Sequence, residues 1–177
     1  MQAHCAAPLS PDQAPPVKTL VVYFSRTGQT QRVANEIARR CDAHLDGIRL
    51  QNQGIPWFAG WRYNWQTLTH AEPPICRPTR NPANYDLVVL GIPTTRAGLA
   101  PPIRSYVRQY GDRIRHMALF CAEGTGVDAQ GFSEVSALYG KRPVATFGVA
   151  RKHLPAIAHR EQLIDFVDSI RAEPPAG

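Results

Sequence analysis

Lys18 to Cys41, KTLVVYFSRTGQTQRVANEIARRC, constrains the fold more than any other stretch of this 177-residue chain. Leu20-Val21-Val22-Tyr23-Phe24 is a continuous apolar run rich in β-branched and aromatic residues, the pattern of a strand buried on both faces. After Ser25-Arg26-Thr27-Gly28-Gln29-Thr30 the period changes, and Ala34, Ile37, Ala38 and Cys41 fall three or four apart on one helical face. A strand that turns through hydroxyls and a glycine into a helix start makes an anion site. The first backbone N–H groups of the helix lack internal partners, and the positive end of its dipole points at the turn. Ser25, Thr27 and Thr30 add side-chain donors, Gly28 lets the backbone approach closely, Gln29 stands at the helix start, and Arg26 supplies a charge. A phosphate fits such a turn. Ser and Thr are also favoured helix N-caps, so the same residues could merely start a helix; one cap, however, does not need three hydroxyls and a glycine.

Neither G-x-x-x-x-G-K-[ST] nor G-x-G-x-x-G occurs at this turn. The stretch resembles instead the phosphate loop of the flavodoxin family, in which a [ST]-x-T-G-x-T turn after the first strand cradles the phosphate of FMN. The match lies at Ser25, Thr27, Gly28 and Thr30.

The rest of the chain supports that frame. Residues 1 to 17 are rich in Ala, Pro and Gln without apolar periodicity, and are expected to be a disordered leader. Ala43 to Leu50 alternates weakly, as an edge strand does. Gln51 to Asn84 is irregular, with Trp57, Phe58, Trp61, Tyr63 and Trp65 close together. A short helix whose aromatic face covers the sheet is one reading of the aromatic segment 55–66; a flap near the ligand or a partner-docking surface is the other. Tyr85 to Ile92 reads as a buried strand, and Pro101-Pro102 as the first turn of a helix with Ile103, Tyr106, Val107 and Tyr110 on its apolar stripe. His116 to Cys121 is a fourth strand, Gln130 to Leu138 a helix stopped by Gly140, Pro143 to Val149 a fifth strand and Glu161 to Arg171 a last helix. Residues 173–177 are expected to be a flexible tail.

Strands alternating with helices predict an α/β fold: a single doubly wound domain over residues 18–172, with a five-stranded parallel sheet. A ligand turn after the first strand fits the 2-1-3-4-5 order, which is that of flavodoxin itself. The resemblance then covers most of the chain. YDLVVLGIPTTRAGLAPPIRSYV is similar to the family's third strand, second flavin loop and following helix, and HMALFCAEGTG to its fourth strand and third flavin loop. It implies FMN as cofactor, with its phosphate on Ser25 to Thr30. The ring would lie between Pro93, Thr94, Thr95, Arg96, Ala97 and Gly98 on one side and Ala122, Glu123, Gly124 and Gly126 on the other. It also implies a redox role, either electron transfer or flavin-dependent reduction of a small acceptor, with a small-molecule or protein redox partner.

Two departures bear on that role. The family often stacks an aromatic from the second loop on the flavin, where this chain has Thr95 followed by Arg96, and often a tyrosine from the third loop, which CAEGTG lacks. Arg96 is either a solvated loop charge or a guanidinium placed at the ring. Electron-carrying flavodoxins are acidic, whereas this chain has a net charge of +6; complementary potentials steer encounter, which moves the expectation toward reduction of a small acceptor. The alternative is a flavodoxin-like interaction module without flavin.

Other classes lack their residues. The arginines are spread out rather than gathered in a stripe, which argues against nucleic acid. A receiver domain needs an acidic cluster where Phe24-Ser25-Arg26 stands, and a C-x-x-x-x-x-R phosphatase fails because Val127 lies where the arginine should follow Cys121. No G-x-S-x-G elbow is present, and Glu123 and Asp128 read as loop polars. Four scattered cysteines without metal spacing are expected to be buried free thiols, with no metal. No run is long and apolar enough for a membrane span, and the N-terminal residues have no secretory pattern, which makes a cytoplasmic location the expectation.

Overall fold

A computed structural model describes residues 17–51, 72–93, 98–124, 129–150 and 156–172. The leader, the aromatic segment, most of the loop after the third strand, Gly126 and the tail lie outside the described residues. The apolar runs form strands β1 (Thr19–Tyr23), β2 (His44–Gly47), β3 (Leu87–Ile92), β4 (His116–Gly124) and β5 (Ala145–Ala150). The segments of helical period form α1 (Gln29–Arg40), α2 (Pro101–Tyr110), α3 (Ala129–Tyr139) and α4 (Ala156–Ala172). The strands make one parallel sheet in the order β2-β1-β3-β4-β5, as the alternation of elements predicts.

The central strands read as unbroken apolar runs because both their faces are covered. Leu20, Val22, Val88, Leu90 and Leu119 point to the side of α2 and α3. Val21, Leu87, Val89, Ala118 and Phe120 point to the side of α1 and α4. Phe147 of β5 stacks on Phe166 of α4 with centroids 5.4 Å apart. Gly91 of β3 has a steric reason: a Cβ there would run into the Phe120 ring. The two prolines occupy the first positions of α2, where a missing N–H costs little. Gly140, at φ 72°, closes α3 in the left-handed conformation that suits glycine.

Several boundaries differ from the sequence expectation. β4 runs on to Gly124, so Ala122, Glu123 and Gly124 belong to the strand rather than to a loop; β5 supplies backbone partners there, after a register irregularity between Cys121 and Gly124. α4 begins well before Glu161, at Ala156. β2 is shorter than Ala43 to Leu50, and the chain beyond it makes a second ladder of which periodicity gives no sign. Leu50 faces Ile75 in an antiparallel bridge. Cys76 N–H donates to Arg49 O at 2.7 Å and Gln51 N–H to Pro74 O at 3.0 Å. Among the described cysteines, Cys121 is buried as expected, but Cys41 and Cys76 are only half-buried: Cys41 stands just past the end of α1, and Cys76 follows the bridge between Leu50 and Ile75. No helix among the described residues is long and apolar enough to cross a membrane.

Candidate functional site

The chain leaves β1 at Tyr23 and enters α1 through Ser25 to Gly28. Gly28 has φ 85°, a left-handed conformation that L side chains rarely adopt, and its N–H donates to Ser25 Oγ at 3.0 Å. The helical ladder opens with Arg32 N–H to Gly28 O at 3.0 Å, so the N–H groups of Gln29, Thr30 and Gln31 precede it. No side chain caps α1, and its first turn has no acidic residue. Three hydroxyls stand at this turn, and none of them makes a cap bond to the helix end. Ser25 accepts one bond and keeps its own proton to donate. Thr30 is buried, while Arg26 and Thr27 are exposed beside it. Among the described residues, and its own chain neighbours apart, nothing lies within 4 Å of where a Gly28 Cβ would be. The turn thus gathers N–H and O–H donors at a helix start with no acidic residue in its first turn, a donor set that fits a phosphate.

The other expected site residues come after β3 and β4. Because neighbouring strands are parallel, the connections after β1, β3 and β4 all leave the same carboxyl edge. β1 and β3 are adjacent, yet the chain goes from β1 to β2 on one side and from β3 to β4 on the other. This is a topological switch point, where open α/β sheets take their ligands. Pro93 is half-buried directly after Ile92, and Gly98 is buried with φ 104°. Thr94, Thr95, Arg96 and Ala97 lie outside the described residues. Ala122, Glu123 and Gly124 form the end of β4. The fold thus brings Ser25 to Thr30, Pro93, Gly98 and the end of β4 to one edge.

Two charged residues near this edge escape sequence reasoning. Arg104, in α2, is 6% exposed and forms an ion pair through Nη2 with Oε1 of Glu134 in α3. The other carboxylate oxygen accepts Leu99 N–H at 3.0 Å. Neither residue belongs to a motif, and about thirty positions of chain separate them, so no local pattern could have found the pair. Farther along the same face, Tyr106 is 1% exposed, and its hydroxyl has no hydrogen-bond partner among the described residues. Burial first, then Asp46 and Tyr110, push its pKa above the usual tyrosine range. The ring borders a small cavity lined also by Asp46, Gly47, Cys76 and Arg77.

No protein-family model matches the sequence, and no characterised protein matches it by sequence. Solved structures do match in shape. A protein from Bacteroides uniformis ATCC 8492, provisionally assigned as a flavoprotein, has a TM-score of 0.70 at 21% identity, over 87% of this chain and 99% of its own. The fold is flavodoxin-like. A flavoprotein of Lactobacillus acidophilus NCFM, solved in complex with FMN, has a TM-score of 0.62 at 20% identity, over 75% of this chain and 93% of its own. A flavodoxin, WrbA-like protein from Agrobacterium tumefaciens has a TM-score of 0.53 at 14% identity, over 90% and 99% of the two chains.

Proposed function

We propose that this flavodoxin-like chain binds FMN at the β1–α1 turn and works as a redox protein that passes electrons to a small-molecule or protein acceptor. The observation that carries the reading is the uncapped start of α1. Its free N–H groups, the hydroxyls of Ser25, Thr27 and Thr30, and the guanidinium of Arg26 would hold the phosphate, and Gly28 would let the backbone close on it. Pro93 and Gly98 on one side and the end of β4 on the other would bracket the ring. A flavoprotein of the same fold solved with FMN supports the choice of ligand. When bound, FMN supplies the electron chemistry, and the protein's part is to bind, orient and tune it. The net charge of +6 favours a small acceptor over the basic docking partners that acidic carriers serve. Arg96 is proposed as the cation at the ring's outer face, so Arg96→Ala should lower the potential of bound flavin.

Titration of the purified protein with FMN and with riboflavin, followed by fluorescence quenching, tests the site. FMN should bind more tightly, because riboflavin has no phosphate for the turn to hold. Thr27→Ala with Thr30→Val, which preserves the buried volume of Thr30, should weaken FMN alone. Hydrogen bonds to a charged group contribute roughly 1.5 to 3 kcal/mol each. Equal affinities for the two flavins in the wild-type protein would remove the turn from the site.

A further inference from the structure

The Arg104–Glu134 pair joins three parts of the molecule at once. Arg104 stands in the first half of α2, Glu134 in the middle of α3, and Glu134 Oε2 accepts the N–H of Leu99 at 3.0 Å. The same oxygen lies 3.4 Å from where a Cβ on Gly98 would be. Leu99 is 1% exposed, so its N–H must have an acceptor inside the protein. A guanidinium buried to this degree must be paired.

A pair that served only to clamp α2 to α3 would need no third partner, and well-packed apolar side chains would clamp as firmly. Instead, Arg104 engages one carboxylate oxygen and leaves the other directed at the backbone where the chain returns from the carboxyl edge into α2. Gly98 at φ 104° makes the turn, and Leu99 and Ala100 lead into the helix. The carboxylate therefore fixes the height and direction of the Gly98–Leu99 peptide at the edge where the ring of a flavin would lie. We infer that Glu134, oriented by Arg104, is a positioning residue that sets the Gly98–Leu99 backbone against the flavin ring. This inference rests on the FMN reading of the site.

The position of the pair distinguishes it from the phosphate turn. Loosening Gly98–Leu99 affects the ring, which FMN and riboflavin share, whereas loosening Ser25 to Thr30 affects only FMN. The test is the double variant Arg104→Met/Glu134→Leu, which replaces the pair by apolar side chains of similar bulk and leaves no buried charge unpaired. Circular dichroism checks that it is folded. FMN and riboflavin should then both bind about tenfold more weakly, by the same factor. The Leu99 amide should exchange hydrogen at least about tenfold faster in the flavin-free protein, as expected on loss of a hydrogen bond to a charged acceptor. Gly98→Ala is the second variant. It disturbs the same peptide through its positive φ while leaving the ion pair in place, and it should lower both affinities equally. Unchanged flavin affinity in either folded variant, or unchanged exchange at Leu99 in the double variant, overturns the positioning role. A fall confined to FMN also overturns it. A wild-type protein that binds neither flavin overturns the FMN reading and this inference together.

Discussion

Beneath α1 and α4 the sheet packs against carbon: Val21, Val89 and Phe120 from the strands meet Ile37, Leu163 and Phe166 from the helices. The buried polar residues described on that side are threonines, Thr19 in β1 and Thr30 at the start of α1. Beneath α2 and α3 the opposite face of the same strands shares its interior with Arg104, Ser105, Tyr106 and Tyr139, and with Asp46 of β2. Most of those polar groups make directed bonds to distant backbone. Ser105 Oγ donates to Pro73 O at 2.8 Å, Tyr139 donates to Arg115 O at 2.9 Å, and Asp46 accepts Arg80 N–H at 3.0 Å. Hydrophobic burial is non-directional, so the first face can hold the sheet together without placing any one peptide. Hydrogen bonds are directional, and the second face uses them to place the chain that returns from the carboxyl edge and the segment that covers β2.

If the α1/α4 face is the main source of cohesion, the largest loss of stability should come from its centre. Phe120, which is fully buried, should cost about 3 to 5 kcal/mol on Phe120→Ala, read as a lower urea midpoint with the slope unchanged. Flavin affinity of the folded fraction should not move. Gly91→Ala presses on the same ring from β3 and should cost roughly 1 to 3 kcal/mol through overpacking, with part of the loss recovered in Gly91→Ala/Phe120→Leu. A milder loss from Phe120→Ala than from the Arg104→Met/Glu134→Leu double variant would reverse the division between the faces.

The directed side can be sharpened with two tyrosines of opposite circumstance. The Tyr139 hydroxyl donates to the carbonyls of Ile114 and Arg115, and burial pushes its pKa up to about 12. Tyr139→Phe should therefore cost about 1 kcal/mol. Tyr106 has no hydrogen-bond partner for its hydroxyl among the described residues, so Tyr106→Phe should leave stability unchanged or raise it. A comparable loss from Tyr106→Phe would place an ordered water in the adjoining cavity, hydrogen-bonded to that hydroxyl.

The smallest effect lies at the amino edge, away from the site. Burial, then Lys141 and Arg115, hold His116 below its ordinary value of 6.5, with Asp86 opposing them. The unfolded chain therefore binds more protons than the native one between the lowered native pKa and 6.5. This contribution to stability is complete above that window and is lost as the pH falls through it. His116→Gln should flatten the pH dependence of the unfolding midpoint there, without changing flavin binding at neutral pH.

The sequence by itself determined the parts whose cause is local. Strands β1, β3 and β4 are legible because residues buried on both faces must be apolar in succession. The buried faces of α1, α2 and α4 are legible because their apolar positions recur every three or four residues: Ala34, Ile37, Ile103, Tyr106, Leu163 and Phe166 all face the interior. The donor-rich turn at Ser25 to Thr30 is legible because a strand, a glycine and a helix start are contiguous in the chain. Only the tertiary structure decided that no hydroxyl would cap α1, that β4 would continue to Gly124 against β5, and that the chain after β2 would pair with residues 74–76. It also decided that Glu134 would reach both Arg104 and Leu99 N–H. Each of those outcomes depends on which distant group stands within hydrogen-bonding reach. Periodicity records which side of an element is buried, but not which atom waits on the other side.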